Sequence, residues 1–406
     1  MSLERKNRYP SAKTSSNKIA LRSHAEMLYK KVFLLGLLLN IALIAQGQTS
    51  SCWSNFRGDM QLRGRTPVSV PDNPALLWNF KTEDAIKAAP VLCKDIIIIG
   101  SVDGNVYGLG LDGSLKWKIN TGNGIEAPAL IHEGMAYVGN LDGKVFAIEV
   151  NSGRTRWTYE TEGQIMGAPN LWINNKATSA NQEASAILII GSYDYYLHGI
   201  DAASGKGLWK YEADNFINGA PAIYDGKAVF GGCDGLLHQV EIRTGMVKSR
   251  EPVATYVAGS VAVENGLTYV GDYDGKFTCV DLKNGTEVWS YSNEASQLPF
   301  IAAPSLSEKN VFIGNRDKFV YAFSKKDGKL LWKLNTRGRV DASPVLMKNG
   351  LLIVTMRGDV LILDEGDGKI KWNYELGSPV TGNPAVIQDK LIIGADDGRV
   401  YCFGKK

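Results

Sequence analysis

Short apolar runs closed by glycine-bearing turns fill this chain from residue 88 to its end. IIIIGS (96–101), MAYVGN (135–140), AVFGGC (228–233) and LIIGAD (391–396) are nearly continuous in apolar side chains. NVYGLGL (105–111), KVFAIEV (144–150) and RVYCFG (399–404) alternate instead. Both patterns predict β-strands, and no long helical periodicity intervenes. Asp-Gly joins the two kinds of run at 103–104, 142–143, 234–235, 274–275 and 397–398. That dipeptide accepts the positive φ angles of a two-residue hairpin turn. Asn, Ser, Thr or Asp before glycine at 112–113, 152–153, 204–205, 244–245, 284–285, 327–328 and 367–368 opens a further strand. A segment ending in Ala-, Gly- or Ser-Pro opens most units, as in AAPVLC (88–93), EAPALI (126–131) and ASPVLM (342–347).

A tryptophan marks the last strand of each unit: Trp78, Trp117, Trp157, Trp209, Trp289, Trp332 and Trp372. The intervals are 39, 40, 52, 80, 43 and 40 residues, and the 80 is two periods with Ser249 in the missing place. Four-stranded units repeated at this period, with no helices, predict an all-β fold, an eight-bladed β-propeller. Eight copies of the first three strands are followed by only seven copies of the fourth. The remaining copy, Leu76 to Phe80, precedes the first unit and is expected to close the last blade, removing an open strand edge. The predicted propeller spans 76–406, with 48–75 as an extension lying against its outside, Trp53 and Phe56 packed down.

Residues 1–47 read as a leader. Val32 to Ala45 is an apolar run behind Lys30 and Lys31, with small residues at Ala45 and Gly47, the pattern of a secretory signal peptide. At 14 residues it is short for a membrane span of about 20. Cleavage near Gly47 is expected, leaving no membrane span, with an uncleaved anchor as the alternative. Met27 is a better initiator than Met1 for such a peptide. The leader holds eight of the 45 basic and two of the 42 acidic residues, so 48–406 sums to 37 basic against 40 acidic. A basic stripe for nucleic acid is therefore not expected. Cys52, Cys93, Cys233, Cys279 and Cys402 show no CxxC and no vicinal pair, which predicts neither a zinc site nor a disulfide framework. Thr49-Ser50-Ser51 lacks the apolar residue expected before a lipidated cysteine, so a lipid anchor at Cys52 is not expected.

FAIEVNSGRTRWTY (146–159), GIDAASGKGLWKY (199–211) and CVDLKNGTEVWSY (279–291) resemble the quinoprotein-type, PQQ-like repeat. The resemblance covers 76–406 and is closest in size to BamB-type non-catalytic propellers. It implies a periplasmic or secreted monomer that binds a protein or peptide, possible work for it being outer-membrane barrel assembly. The same repeat is used by pyrroloquinoline-quinone (PQQ) dehydrogenases, which need calcium, adjacent cysteines and carboxylates on long insertions. This chain has no adjacent cysteines and little length beyond its blades, so no catalytic, cofactor or metal residue is assigned. A PQQ- and calcium-dependent dehydrogenase stays as one alternative and a carbohydrate-binding propeller as another.

Most candidate chemistry is absorbed by the repeat. The tryptophans read as blade architecture. His198 and His238 occupy the third-strand slot of Tyr107, Phe146, Phe277 and Tyr401, which predicts packed histidines. Lys87, Glu126, Asn218, Asp341 and Thr381 fall at channel positions and predict a hydrated pore. A partner surface is expected where irregular residues gather on the face bearing the turns between second and third strands. These are Tyr193, Tyr195, Phe216, Tyr256, Tyr273 and Phe300, followed by Arg316, Arg337, Arg339 and Arg357; aromatics and arginines are the side chains enriched at binding hot spots. Two lengthened loops, 174–185 and 293–298, interrupt the repeat on opposite faces.

Overall fold

The structure, a computed structural model, describes residues 52–175, 183–294, 296–387 and 389–406. The expected signal peptide and the initiator at Met27 lie outside these residues, as do 176–182 of the first lengthened loop and 295 of the second. Eight antiparallel sheets follow one another along the chain, one per repeat. Blade one is typical, with an inner strand Val91–Cys93, a second Ile96–Gly100, a third Asn105–Gly110 and an outer strand Leu115–Asn120. The eighth blade draws on both ends of the chain. Ala385–Ile387, Lys390–Gly394 and Arg399–Gly404 take Ala75–Lys81 as their outer strand, with Trp78 opposite Cys402. The predicted eight-bladed ring and its closure by the N-terminal strand are thus what the chain forms.

Second strands are mostly apolar because a neighbouring sheet covers each face; Ile97, Ile98 and Ile99 are all fully buried. Outer strands have one neighbour fewer, and Leu115–Asn120 alternates exposed with half-buried positions.

The tryptophans join blades. Trp117 Nε1 donates to the Val150 carbonyl of the next blade at 2.8 Å, and Trp209 Nε1 to that of Ile242 at 2.7 Å. Trp78, Trp157, Trp289 and Trp332 make the same bond, to Leu111, Ala202, Lys325 and Glu365. The turn glycine of the next blade lies over the indole: Gly153 (φ 72°) has no room for a Cβ above Trp117. In blade four, Ser249 faces Gln239, whose amide donates to Ser249 Oγ at 2.9 Å and to the Leu282 carbonyl at 2.8 Å. The interblade bond survives there with its donor moved to the third strand.

Turn aspartates brace the third strands. Asp103, Asp194, Asp234, Asp317 and Asp397 each accept a bond from the side chain four residues on: Tyr107, His198, His238, Tyr321 and Tyr401. Both histidines are fully buried. With Nε2–H donating to Asp194, His198 keeps Nδ1 to accept the Tyr159 hydroxyl at 3.1 Å. In blade five Thr278, not Phe277, holds this slot, opposite Ser290. Burial works to raise the Asp194 pKa, but the bond from His198 and two backbone N–H groups outweigh it and hold the carboxyl at about 2. A depressed carboxylate contributes stability above its unfolded value of about 4, and that contribution is lost as pH falls through the folded value. Asp194→Asn should therefore flatten the fall in melting temperature between about pH 4 and pH 2. An equal fall in both proteins would refute this role.

The N-terminal extension does not lie outside. It fills one end of the central channel, because the ends of the inner strands present unpaired backbone groups there. Cys52–Trp53 pairs with the inner strand of blade one, and Cys52 is disulfide-bonded to Cys93, contrary to the sequence expectation. The segment then crosses the channel. Carbonyls of Ser54, Met60, Gln61, Arg63 and Gly64 accept from Ile131, Ile223, Val263, Leu306 and Leu346, one in each of five further blades. Arg57 is buried at the centre, its guanidinium donating to the Pro344 and Pro304 carbonyls at 2.6 and 3.0 Å. Arg63, Arg65 and Lys325 meet at Glu264. Trp53, Phe56, Leu62 and Val70 are buried as predicted for the first two, but against the inside of the ring.

Candidate functional site

One hydrogen bond repeated in all eight blades defines the face opposite the plug. The link leading into each blade offers a carbonyl to the turn between that blade's second and third strands. The pairs include Gln164 with Tyr193, Phe216 with Cys233, Tyr256 with Tyr273, Pro299 with Arg316 and Arg339 with Met356. Phe216, Tyr256 and Arg339 therefore hold one repeat position, and Tyr193, Tyr273 and Arg316 hold its partner. Six of the ten predicted surface residues come from this pair of positions, and the link position stands out from the ring because the residue after it, such as Ile217 or Val257, is buried.

At the centre of this face lies a cup of about 150 Å³ with Phe56 of the plug in its wall. Lys87, Glu126, Asn218, Asp341 and Thr381 line it, as expected, but the plug makes it a blind cup, not a pore. Its polar groups satisfy one another. Lys87 bonds Glu126 at 2.8 Å, Arg316 grips Asp341 at 3.1 Å, and Thr381 donates to Asp396 at 2.7 Å. Asn218 bridges the Tyr193 hydroxyl and the Ala258 carbonyl.

The aromatic residues form two adjoining groups. Phe216 stacks on Tyr193 with ring centroids 4.5 Å apart and meets Tyr195 at 5.1 Å. Tyr256 and Tyr273 meet edge to face at 5.1 Å. A bond with Cys233 and partial burial keep the Tyr256 pKa raised, so its hydroxyl stays protonated. Tyr195 and Tyr273 are the most open, each more than 40% exposed. Phe300 does not belong with them. It is fully buried against Phe277 and Tyr321, filling the slot held by Ile125 and Ile165 in other blades.

Arg337, Arg339 and Arg357 are exposed on the far side of the cup, whereas Arg316 is drawn inward by Asp341. Partial burial opposes the Arg316 charge, but bonding to Asp341 outweighs it and pushes its pKa up. Lys318 joins this group and was not anticipated. Its signal was Asp-Lys at 317–318 in place of the Asp-Gly of other turns.

The sequence profile of the outer membrane protein assembly factor BamB matches residues 68–187 and 316–406, more than half of the chain. The chain belongs to the BamB family. Among solved structures, BamB from Moraxella catarrhalis is 23% identical, with a TM-score of 0.67 over 82% of this chain and 98% of that one. The computationally designed Ika8 protein is 18% identical with a TM-score of 0.69, covering 83% of this chain and all 100% of its own. Quinohemoprotein alcohol dehydrogenase from Comamonas testosteroni is 12% identical with a TM-score of 0.71, covering 89% of this chain and 82% of its own. At these identities the three share the fold with this BamB-family chain. No curated protein sequence matches it.

Proposed function

We propose that this chain is a non-catalytic binding platform of the bacterial envelope that captures a protein partner on its aromatic face in support of outer-membrane protein assembly. The observation that carries this is the concentration of Tyr193, Tyr195, Phe216, Tyr256 and Tyr273 in one repeat slot and its partner turn, beside exposed arginines. Membership in the BamB family supports the assembly role. The Cys52–Cys93 bond supports an oxidising compartment, since disulfides persist in the periplasm and outside cells. It also engages the sulfur that a lipid thioether at Cys52 would need. No described helix is long and apolar enough to cross a membrane.

A quinone with its calcium does not fit the cup. Small-molecule sites run from about 300 to 1,000 Å³, and the cup is about 150 Å³. Its two carboxylates, Glu126 and Asp341, are engaged by Lys87 and Arg316. Among the described residues no three His, Cys, Asp or Glu gather as a metal site would require.

Replacing the two open rings, Tyr195→Ala with Tyr273→Ala, should abolish capture of the partner from envelope extracts, identified by mass spectrometry. The melting temperature should change little, because both side chains are exposed. An unchanged set of captured proteins would sink the reading.

A further inference from the structure

Left-handed backbone positions on the partner face are glycine in most blades. In the turns between second and third strands Gly104, Gly143, Gly235, Gly275, Gly358 and Gly398 have φ between 75° and 88°. The two exceptions are Tyr195 (φ 74°) and Lys318 (φ 73°). In the links, the slot that holds Gly122 (φ 94°) and Gly377 (φ 75°) holds Arg337 (φ 61°) leading into blade seven. An L side chain at such an angle carries strain that glycine avoids, and strain of this kind gathers at functional sites. All three exceptions are exposed and all three lie on this face.

Two of them stand together. The Lys318 carbonyl accepts the N–H of Thr336, the residue before Arg337. Arg357 lays its stem against Gly338, where a Cβ would come within 2.9 Å of Arg357 Cγ, so its guanidinium belongs to the group of Arg337 and Arg339. The carboxylates nearby are committed. Asp341 holds Arg316, Asp317 takes the Tyr321 hydroxyl, and Asp359 accepts from Thr355 while lying 3.8 Å from Arg357. Glu375, opposite Asp359 in the sheet register, lies on the outer strand. Among the described residues Lys318, Arg337 and Arg339 have no ion-pair partner. They form a cationic patch in a chain whose residues 48–406 carry more acid than base.

Resting on the partner-face reading, we infer that this patch docks an acidic segment of the partner protein, one that also carries an aromatic or apolar residue. Guanidinium forks match carboxylates in two-pronged bonds. Tyr273 and Arg316 hold the same turn position in neighbouring blades five and six, so the patch runs on into the aromatic group, and a segment seated on the arginines can place an apolar side chain there. Charge around the rest of the face favours a segment over an anionic bilayer. Glu83, Asp84, Asp142 and Glu162 are exposed on blades one to three, and a flat anionic surface would be repelled by them.

The test uses the mature chain and a fluorescein-labelled peptide, Phe-Asp-Glu-Phe-Asp-Glu, with lysine replacing every acid in a control. Anisotropy should show binding of the acidic peptide alone, weakened by salt. Lys318→Gly with Arg337→Gly should weaken it about tenfold or more, while the melting temperature rises as strain is relieved. A purely structural role for these residues predicts equal binding and a lowered melting temperature. Absence of binding, equal binding by the glycine variant, or a lowered melting temperature would overturn the inference. So would sedimentation with phosphatidylglycerol vesicles that the glycine variant loses, which would assign the patch to lipid. If the Tyr195/Tyr273 variant loses envelope capture while the glycine variant keeps it, this inference falls and the platform stands. If both variants capture normally, the platform reading falls as well.

Discussion

Cys52→Ser with Cys93→Ser is expected to lower the unfolding free energy substantially. The bond spans 41 residues, and loop-closure entropy for that length gives about 4 kcal/mol. The plug and the closing strand Ala75–Lys81 lie within the closed loop, and the bond ties the plug to the inner strand of blade one. Without the bond, the plug is held by the backbone hydrogen bonds to the inner strands and by the buried side chains of Trp53, Phe56, Leu62 and Val70. Urea unfolding of the wild type in reductant should coincide with that of the double variant. A wild-type midpoint indifferent to reductant would refute the bond.

Trp289→Ala should lower the unfolding free energy by about 3–5 kcal/mol, the range for deleting a buried aromatic. Trp289 is the most buried of the repeat tryptophans, 7% exposed. It bonds the Lys325 carbonyl at 3.0 Å and packs against Tyr269, Phe277 and Phe323. The change removes contact within blade five and between blades five and six at once. Trp289→Phe keeps part of the packing and loses the bond, so it should cost clearly less. A loss below about 1 kcal/mol for the alanine variant, on the scale of a single hydrogen bond, would refute the tryptophan as the joint between blades.

The ring was legible because its determinants are local and repeated. Each turn dipeptide and each tryptophan states its own strand boundary, and eight copies correct one another. Even the gap at Ser249 could be placed by counting, although the matching change at Gln239 needed the sheet register. The plug was hidden for the opposite reason. SNFRGDMQLRGRT (54–66) has no period, and its partners lie on six separate blades. Cysteine spacing carries no information about a pair brought together by a channel. Phe300 was misread as surface because it sits in an irregular loop, but alignment to Ile125 and Ile165 marks its slot as core. Lys318 was overlooked because attention to aromatic and arginine side chains missed what the backbone position required.

Closure of the eighth blade bears on how the chain is made. Residues 75–81 emerge before every blade of the propeller, but their partner, Arg399–Gly404, is the last of its strands to be translated. The plug waits as well, since its contacts reach Leu346 and Asn349. No prefix of the chain can complete the ring, and a ribosome that stops early releases a product with an apolar strand and an unfilled channel. Intactness is thus checked by the architecture itself: only a chain translated through the last strand of the ring can hide both the plug and the strand 75–81 from proteases.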